Sequence, residues 1–357
     1  MKKREKKKWT DFTRREFLGG IGVSLLGLMG LPALGRLAAE GGFGAVADAA
    51  PAHGAKPSAG GGKPVVVIGR DPKIWEGTKL NKDKVRDLVF KSVRALTGAD
   101  DDKAAWSEFF DSNDRVGIKM NCIGGKRMAT TPAVVEAIVS GALLAGVPPK
   151  NIAAWDRLEW EVRMAGFHTG RDKRGVLYTA TDSEEVGYDN DLTTWGESSS
   201  LVSRMASEFS TAMVSAPVLK DHDTTGISCA MKNWYGAINN PNKLHENACD
   251  PYIADVNMMP VFREKTRLVV CDATTGQYNG GPGHKPKYTW PFAGVIVGAD
   301  AVAVDTVAYH IIDEKRKAEG LPTLKDEGRP PKFLSTAADA KHKLGENRYE
   351  KIRVIEV

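Results

Sequence analysis

Cysteine is scarce in this chain of 357 residues, and its four cysteines are widely scattered, at Cys122, Cys229, Cys249 and Cys271. A C-x-x-C metal site or an iron–sulfur cluster needs cysteines only a few residues apart. We therefore do not expect an iron–sulfur cluster. In an oxidising compartment the thiols could form disulfides, but the spacing fixes no pairing, and buried free thiols fit the sequence equally well.

Several common catalytic signatures are also missing. Neither H-E-x-x-H nor G-x-S-x-G occurs, which removes the commonest hydrolase interpretations. The run GGPGHK lacks the spacing of a Walker loop, and no G-x-G-x-x-G opens a helix after a strand. We therefore predict no nucleotide binding.

A strong charge of one sign is absent from most of the chain. The formal net charge is +5, but residues 1–49 contain nine Lys or Arg against five Asp or Glu. The remaining residues contain 41 basic and 40 acidic side chains. Since nucleic-acid binding depends on a basic surface, nucleic acid is not a predicted partner.

A long apolar run is lacking as well. The most apolar segment, GGIGVSLLGLMGLPALG, is interrupted by Pro32 and falls short of the roughly 20 residues that a transmembrane helix needs. We therefore predict no stable membrane span in the mature protein, the alternative being an anchor that is retained when cleavage fails.

The N-terminus has the features of an export signal. Paired Arg14 and Arg15 follow a basic leader, and Ala47 and Ala49 have the small-x-small spacing of a processing site. Residues 1–49 thus resemble a twin-arginine signal peptide. This resemblance implies the twin-arginine machinery as a partner, cleavage near Ala49 and a periplasmic or other extracytoplasmic location. Such signals often accompany a cofactor that is inserted before export, without identifying it.

The remaining chain is predicted to form one large domain. Residues 50–63 are a Pro/Gly/Ala linker that should be flexible, and residues 64–357 alternate strand-like with helix-like segments. The predicted strands are Val65–Ile68, Arg115–Met120, Ile152–Trp155, Ala212–Leu219, Arg267–Cys271 and Gly294–Val297. The predicted helices are Lys82–Leu96, Pro132–Ala145, Gly226–Ile238 and Ala301–Ile312. This alternation predicts an α/β fold, a mostly parallel sheet flanked by helices, with the C-terminal run KIRVIEV at one edge.

Two helix starts carry capping signals. Thr131 precedes Pro132, and Asp300 precedes an apolar run, so both side chains are expected to act mainly as N-caps.

Polar residues follow four of the predicted strands. Ligands of open α/β sheets bind outside the carboxyl ends of the strands, so these residues form a candidate site. Its members are Lys119, Asn121, Asp156, Lys220, His222 and Asp272.

The stretch KDHDTTGISCAMKNWYG extends this candidate site. In a helix over Gly226–Ile238, Ser228, Lys232 and Gly236 would share one stripe, with small residues beside the lysine. The first turn of that helix would also attract an anion. The alternative interpretation is a solvated lysine on an exposed helix face.

Further candidates lie in two loops. Gly281 and Gly283 would let the backbone approach a ligand closely, although a Gly/Pro loop is also an ordinary connection. His245 could be a metal ligand or a proton carrier.

Three blocks carry a resemblance to a known family. KMNCIGGKRMATTPAVVEAIVSGALLAG, VLKDHDTTGISCAMKNWYG, and CDATTGQYNGGPGHKP with GVIVGADAVAVDTVA resemble the signature blocks of domain-of-unknown-function family 362 over residues 113–312. The positions that match the family's pattern are Lys119 with Asn121, Lys220 with His222, Lys232 with Asn233, and Asp300 with Asp305. Many members carry an additional iron–sulfur module, whose cysteine runs are missing here.

The spacing of His222, Gly226, Ser228 and Lys232 is also similar to that of nickel-pincer lactate racemases. This similarity implies that Lys232 carries a covalent cofactor, that His245 ligates nickel and that His222 is an acid/base. Nickel, or another metal, is the cofactor that it suggests.

Two functions fit these observations. The first is an enzyme acting on a small anionic organic molecule, with Lys119 and Lys220 holding the anion, His222 exchanging protons and Lys232 acting in catalysis, with or without a metal or covalent cofactor. In this hypothesis Asn121, Asp156, Ser228, Asn233, Asp272, Gly281 and Gly283 complete the binding site. The second is a non-catalytic periplasmic binding or accessory protein for a redox or metal-handling system.

Overall fold

The structure, a computed structural model, describes residues 62–357. The predicted signal peptide and the linker up to residue 61 lie outside the described residues. Among the described residues, helices are too short or too polar to cross a membrane.

The domain is built on one mixed sheet of mostly parallel strands. The strands are β1 (Val65–Arg70), β2 (Trp75–Glu76), β3 (Lys79–Leu80), β4 (Val116–Lys119), β5 (Ile152–Asp156), β6 (Gly170–Arg171), β7 (Leu177–Ala180), β8 (Thr193–Trp195), β9 (Ser198–Ser200), β10 (Ala212–Ser215), β11 (Val218–His222), β12 (Gly226–Ile227), β13 (Thr266–Gln277), β14 (Thr289–Trp290), β15 (Gly294–Gly298) and β16 (Arg353–Glu356). The main path of the large sheet runs β16-β1-β15-β13-β10-β4-β5-β7-β6; β11 and β14 also pair with β13, and β12 pairs with β11. The strands β2 with β3 and β8 with β9 form two separate two-stranded sheets. From β13 to β7 this path is parallel, and the C-terminal strand pairs with β1 at the edge, as predicted.

Helices cover both faces of the sheet. They are α1 (Lys82–Thr97), α2 (Asp102–Ser107), α3 (Pro132–Leu144), α4 (Glu159–Met164), α5 (Tyr252–Met258), α6 (Pro260–Lys265), α7 (Ala301–Ala318) and α8 (Phe333–Ala337). Along β13, Leu268 and Val270 join the core under α1 to α4, whereas Val269 and Cys271 join the core under α5 to α8. The alternation follows from the two-residue period of a strand. The predicted α/β class is therefore confirmed.

Both predicted caps are present. The Thr131 hydroxyl accepts a hydrogen bond from the backbone N–H of Val134 at the start of α3, and the carboxylate of Asp300 accepts one from Ala303 at the start of α7. The helix boundaries at these positions therefore follow from local capping chemistry.

The predicted helix over Gly226–Ile238 is wrong. Gly226 has a positive φ of 77° and pairs with His222 in a short hairpin, and only Lys232–Ala237 are helical, as a 3₁₀-helix. The turn between them is held by Asp305, whose carboxylate accepts hydrogen bonds from the backbone N–H groups of Ala230 and Met231. The helical stripe and the helix N-terminus predicted for this segment do not exist.

The predicted strand Ala212–Leu219 is also divided. Pro217, which has no N–H to donate, separates β10 from β11, and each pairs with a different part of β13. For this reason β13 extends to Gln277, beyond the predicted end at Cys271. Asp272 consequently lies inside a strand.

All four cysteines are free and buried. The Sγ atoms of Cys229 and Cys271 lie 3.4 Å apart as two thiols, and burial raises the pKa of Cys229 well above its usual range.

A buried ion pair joins the start of β13 to the loop before β4. Arg267 donates to both carboxylate oxygens of Asp114, at 2.7 and 3.0 Å, and Thr211 donates a further hydrogen bond to Asp114 at 2.9 Å. Both charged side chains are buried. Such a pair holds two elements together because removing one partner leaves an uncompensated charge in the interior.

We expect Asp114→Ala to lower the free energy of unfolding by about 3–5 kcal/mol, since it leaves Arg267 buried without its carboxylate. Glu136→Ala is the matched control, because its ion pair with Arg174 is about two-fifths exposed and should change stability by less than about 1 kcal/mol. Urea denaturation of both variants measures the difference. Equal losses would contradict a structural role of the buried pair.

Candidate functional site

The carboxyl ends of β4 and β5 meet the strand β11 at one edge of the sheet. Here Lys119, Asn121, Asp156 and Lys220, which the sequence placed at separate strand ends, come together through hydrogen bonds. Asn233, from the 3₁₀-helix, donates to the carbonyl of Lys119 at 2.9 Å. The predicted convergence of these strand ends is therefore observed.

Lys119 is neutralised inside the protein. Its Nζ donates to Asp156 Oδ1 and to the carbonyl of Met120, both at 2.6 Å, and its side chain is buried. Asp156 also accepts hydrogen bonds from the N–H groups of Cys122 and Arg157. This pair leaves Lys119 no free charge for a ligand.

Gly236 is required where the 3₁₀-helix crosses this ion pair. A Cβ at this position would lie 2.5 Å from Lys119 Nζ and 2.8 Å from Asp156 Oδ1. The sequence predicted that Gly236 would leave room beside Lys232. In the structure, Gly236 instead leaves room for the side chain of Lys119.

Lys220 is fully buried and forms no ion pair with any of the described residues. Its Nζ donates to Asn121 Oδ1 at 2.8 Å, which uses one of the three N–H groups of an ammonium ion. Burial lowers its pKa to about 8; the charge of Asp156 opposes this shift, and the charge of Lys232 adds to it. Asn121 is in turn oriented by Asn233 at 3.4 Å.

Lys232 is the third buried lysine of the site. Its Nζ lies 3.0 Å from His245 Nε2 and 4.7 Å from the centre of the Tyr235 ring. Burial lowers its pKa to about 8. Lys232 therefore lies beside two aromatic rings, those of His245 and Tyr235, and not beside small residues as predicted.

His222 is held in its neutral form. Burial, followed by the charges of Lys232, His245 and Lys220, lowers its pKa to about 2. The N–H of Thr224 donates to Nδ1 at 3.1 Å, so the hydrogen of the neutral ring is on Nε2. Asp223 Oδ1 is also 3.0 Å from Nδ1, but this carboxylate is mostly exposed and the fixed N–H decides the tautomer. The expectation that His222 exchanges protons near neutral pH is therefore not supported.

His245 has a defined orientation. Its Nδ1 lies 2.8 Å from the carbonyl of Pro241, which can only accept, so Nε2 carries the lone pair that faces Lys232. The ring lies 5.8 Å from that of His222 and contacts Tyr235 edge-on. Burial and the charge of Lys232 lower its pKa.

The residues present do not fit a nickel ion. His245 Nε2 is one nitrogen donor whose lone pair already accepts from Lys232, and the charges of Lys220 and Lys232 nearby would repel a cation. Within residues 62–357, no three His, Cys, Asp or Glu side chains converge as a metal site.

Three predicted ligand-binding residues make internal contacts instead. Asp272 accepts hydrogen bonds from the N–H and hydroxyl groups of both Thr131 and Thr274, at 2.7–2.9 Å. Gly281 donates its N–H to Asp221 at 2.8 Å, and Gly283 is exposed and accepts from Gln277. These contacts stabilise loops around the site.

Ser228 lies beside the cluster, since its N–H donates to the carbonyl of Lys220 at 3.0 Å and its side chain is 7% exposed.

Sequence reasoning missed three residues that shape the site. The Tyr235 ring lies beside Lys232 Nζ, and its position three residues after Lys232 in the sequence was a weak signal. Asp305 matched the family pattern without an assigned role, and it holds the turn before Lys232. Arg329 binds Asp221 at 2.9 Å and the carbonyl of His222 at 2.8 Å, and it lies in a segment with no motif.

Two surface depressions lie away from this cluster. One, of about 480 Å³, is lined by Arg163 and Gly166–Thr169, and the other, of about 330 Å³, adjoins it near Tyr178. Neither brings together titratable groups of shifted pKa with a buried lysine. We therefore place the candidate site at the Lys/His cluster, which consists of Lys119, Asn121, Asp156, Lys220, His222, Lys232, Asn233 and His245.

One protein family accounts for the sequence motifs. The profile described as Domain of unknown function (DUF362) matches residues 116–310, more than half of the chain. The chain belongs to this family. The match agrees with the range predicted from the three motif blocks, and it covers every member of the Lys/His cluster. No curated protein and no solved structure matches the chain significantly.

We expect Lys220→Met to raise the free energy of unfolding by about 1–3 kcal/mol at pH 7 without added anion, because it removes a buried charge that forms no ion pair within residues 62–357. Lys119→Met is the matched control. It should lower the free energy of unfolding by about 3–5 kcal/mol, because it leaves the carboxylate of Asp156 buried without its ion-pair partner. Urea denaturation reports both. A loss of stability in Lys220→Met would mean that this ammonium is compensated within the protein.

Proposed function

We propose that this member of family 362 binds a small organic anion, of the carboxylate class, between Lys220 and Lys232. The observation that carries the proposal is the burial of two ammonium groups that form no ion pair in the part of the chain that the structure describes. A buried charge is normally paired. An anion would supply the missing partner.

The surrounding groups support an anion rather than a cation. His222 presents an N–H from its neutral ring, and Asn121 is already oriented by Lys220 and Asn233. Lys119 and Asp156 cancel each other, so they set the geometry of the strand ends without adding net charge. The remaining groups give the site a positive charge in a water-poor environment, where electrostatic attraction is strong.

We further propose that the protein is an enzyme. Lys232 and His245 form a pair in which an amine can pass a proton to the Nε2 lone pair, and both pKa values lie below their usual ranges. Shifted pKa values in a pair of facing groups are typical of proton-transfer sites. In this proposal Lys232 and His245 exchange the proton, and His222 is a hydrogen-bond donor.

A binding protein is the second candidate. It is favoured by the neutral His222, which leaves one histidine, His245, as a proton acceptor. The same anion site would then serve recognition alone, in a redox or metal-handling system.

We also propose that the protein acts outside the cytoplasm after twin-arginine export. The support is the arrangement of Arg14, Arg15 and Ala49 in the sequence.

We expect the affinity for propionate, measured by isothermal titration calorimetry, to be highest below pH 8 and to fall as the pH rises through about 8. The pKa of both lysines is lowered to about 8, so their charge, and the binding that needs it, is present below that pH and lost above it. The loss should approach tenfold per pH unit for each lysine required.

Lys220→Met should abolish this binding, whereas Lys91→Met, at an exposed position, should not change it. Inorganic phosphate, titrated in parallel, tests the alternative source of negative charge. Absence of heat with either anion would refute the anion site.

We expect the chain purified from the extracytoplasmic fraction of its native host to begin near residue 50. N-terminal sequencing and intact mass measure this directly, and a variant with Lys at positions 14 and 15 should remain uncleaved in the cytoplasm because the twin-arginine pair is lost. Cleavage and export of that variant would argue against the twin-arginine route.

A further inference from the structure

Lys220 and Lys232, the two buried lysines of the site without an ion pair in the described residues, differ in what they contact. This difference assigns them different chemistry. Lys220 Nζ donates to the amide oxygen Oδ1 of Asn121, which cannot take up a proton at neutral pH. Lys232 Nζ instead faces the lone pair of His245 Nε2 at 3.0 Å. Only Lys232 therefore has a neighbour that can remove its proton.

The orientation of His245 is fixed for this role. Its Nδ1–H donates to the carbonyl of Pro241 at 2.8 Å, so Nε2 is the free acceptor. Lys119 is excluded as the reacting amine, because its Nζ is bound by Asp156 and by a backbone carbonyl. Lys232 is thus the amine of the cluster that can become a nucleophile.

We propose that Lys232 forms an imine with the carbonyl carbon of a small oxo-carboxylate whose carboxylate is bound by Lys220. This inference rests on the proposed function, since it uses the same anion site, and it names the substrate class as an acid with a ketone or aldehyde near its carboxylate. A desolvated lysine beside a second cation is a known arrangement for imine formation.

The step balances without an oxidant or a reductant. The ammonium of Lys232 gives one proton to His245 Nε2, and the nitrogen lone pair attacks the carbonyl carbon while the C=O π electrons move to oxygen. In the adduct one proton moves from the nitrogen to the alkoxide oxygen, which gives the carbinolamine. Its hydroxyl group takes the proton of the His245 imidazolium and leaves as water while the nitrogen lone pair forms the C=N bond. The products are the protonated imine, one water molecule and neutral His245.

The electrostatics of the site favour the free amine. Burial lowers the pKa of Lys232 to about 8, which leaves a useful share of neutral amine near neutral pH, whereas an exposed lysine is almost fully protonated. The Tyr235 ring at 4.7 Å would favour a cationic nitrogen, and a protonated imine restores that cation. The surroundings of Lys232 Nζ are therefore compatible with the amine before the reaction and with the protonated imine after it.

The test is reductive trapping of the full-length mature protein. The protein is incubated with pyruvate, sodium borohydride is added, and intact mass followed by peptide mapping locates the adduct. We expect one reduced pyruvate adduct per chain, on Lys232. Propionate, which has the carboxylate but no carbonyl group, should give none.

Three variants separate the roles. Lys232→Arg should lose the adduct, because a guanidinium group does not form the imine, and propionate titration of the same variant measures the contribution of this cation to anion binding. Lys220→Met should lose both propionate binding and trapping. His245→Gln should keep propionate binding and slow trapping by about a hundredfold, since the amide cannot accept a proton.

The outcomes distinguish the two proposals. Propionate binding without an adduct at Lys232, or an adduct that persists in Lys232→Arg, overturns the imine and leaves the anion site in place. Lack of binding to both propionate and pyruvate overturns the proposed function itself, and the imine with it.

Discussion

The burial of ammonium groups at one edge of the sheet is the constraint on which the site depends. For Lys232, a pKa lowered from 10.5 to about 8 corresponds to roughly 3 kcal/mol of unfavourable charge burial. The fold bears this free energy without neutralising Lys220 or Lys232, although it neutralises Lys119 a short distance away. A neighbouring carboxylate, such as Asp156 beside Lys119, is enough to neutralise a buried ammonium group at this edge of the sheet. The lack of such a partner is therefore specific to Lys220 and Lys232.

The backbone that carries Lys232 is itself held by a buried carboxylate. Burial raises the pKa of Asp305 to about 7, while its two hydrogen bonds from the backbone N–H groups of Ala230 and Met231 act in the opposite direction. Helix α7, which carries Asp305, thereby fixes the turn that connects the hairpin to the 3₁₀-helix. The position of Lys232 thus depends on a residue 73 positions further along the chain, which explains why the local pattern predicted a helix wrongly.

The sequence was informative wherever a local rule decided the structure. The caps at Thr131 and Asp300, the alternation of strands with helices, and the strand ends carrying Lys119, Asn121 and Asp156 all follow from short-range patterns. The sequence was uninformative where pairing between distant segments determines the structure. The division at Pro217 and the length of β13 depend on which part of β13 each strand meets, and Asp272 was consequently assigned to a ligand when it binds two threonines.

Side-chain chemistry was harder to predict than side-chain position. His222 and Lys232 lie in one cluster, but their protonation depends on neighbours that sequence spacing does not reveal. Burial opposes charge on both. The imidazole, with an ordinary pKa of 6.5, is driven out of the physiological range, whereas the amine, starting at 10.5, is brought into it. The same environment therefore lowers the basicity of His222 and brings the pKa of Lys232 toward neutral pH, so the proton exchange that we propose involves Lys232 with His245 and not His222.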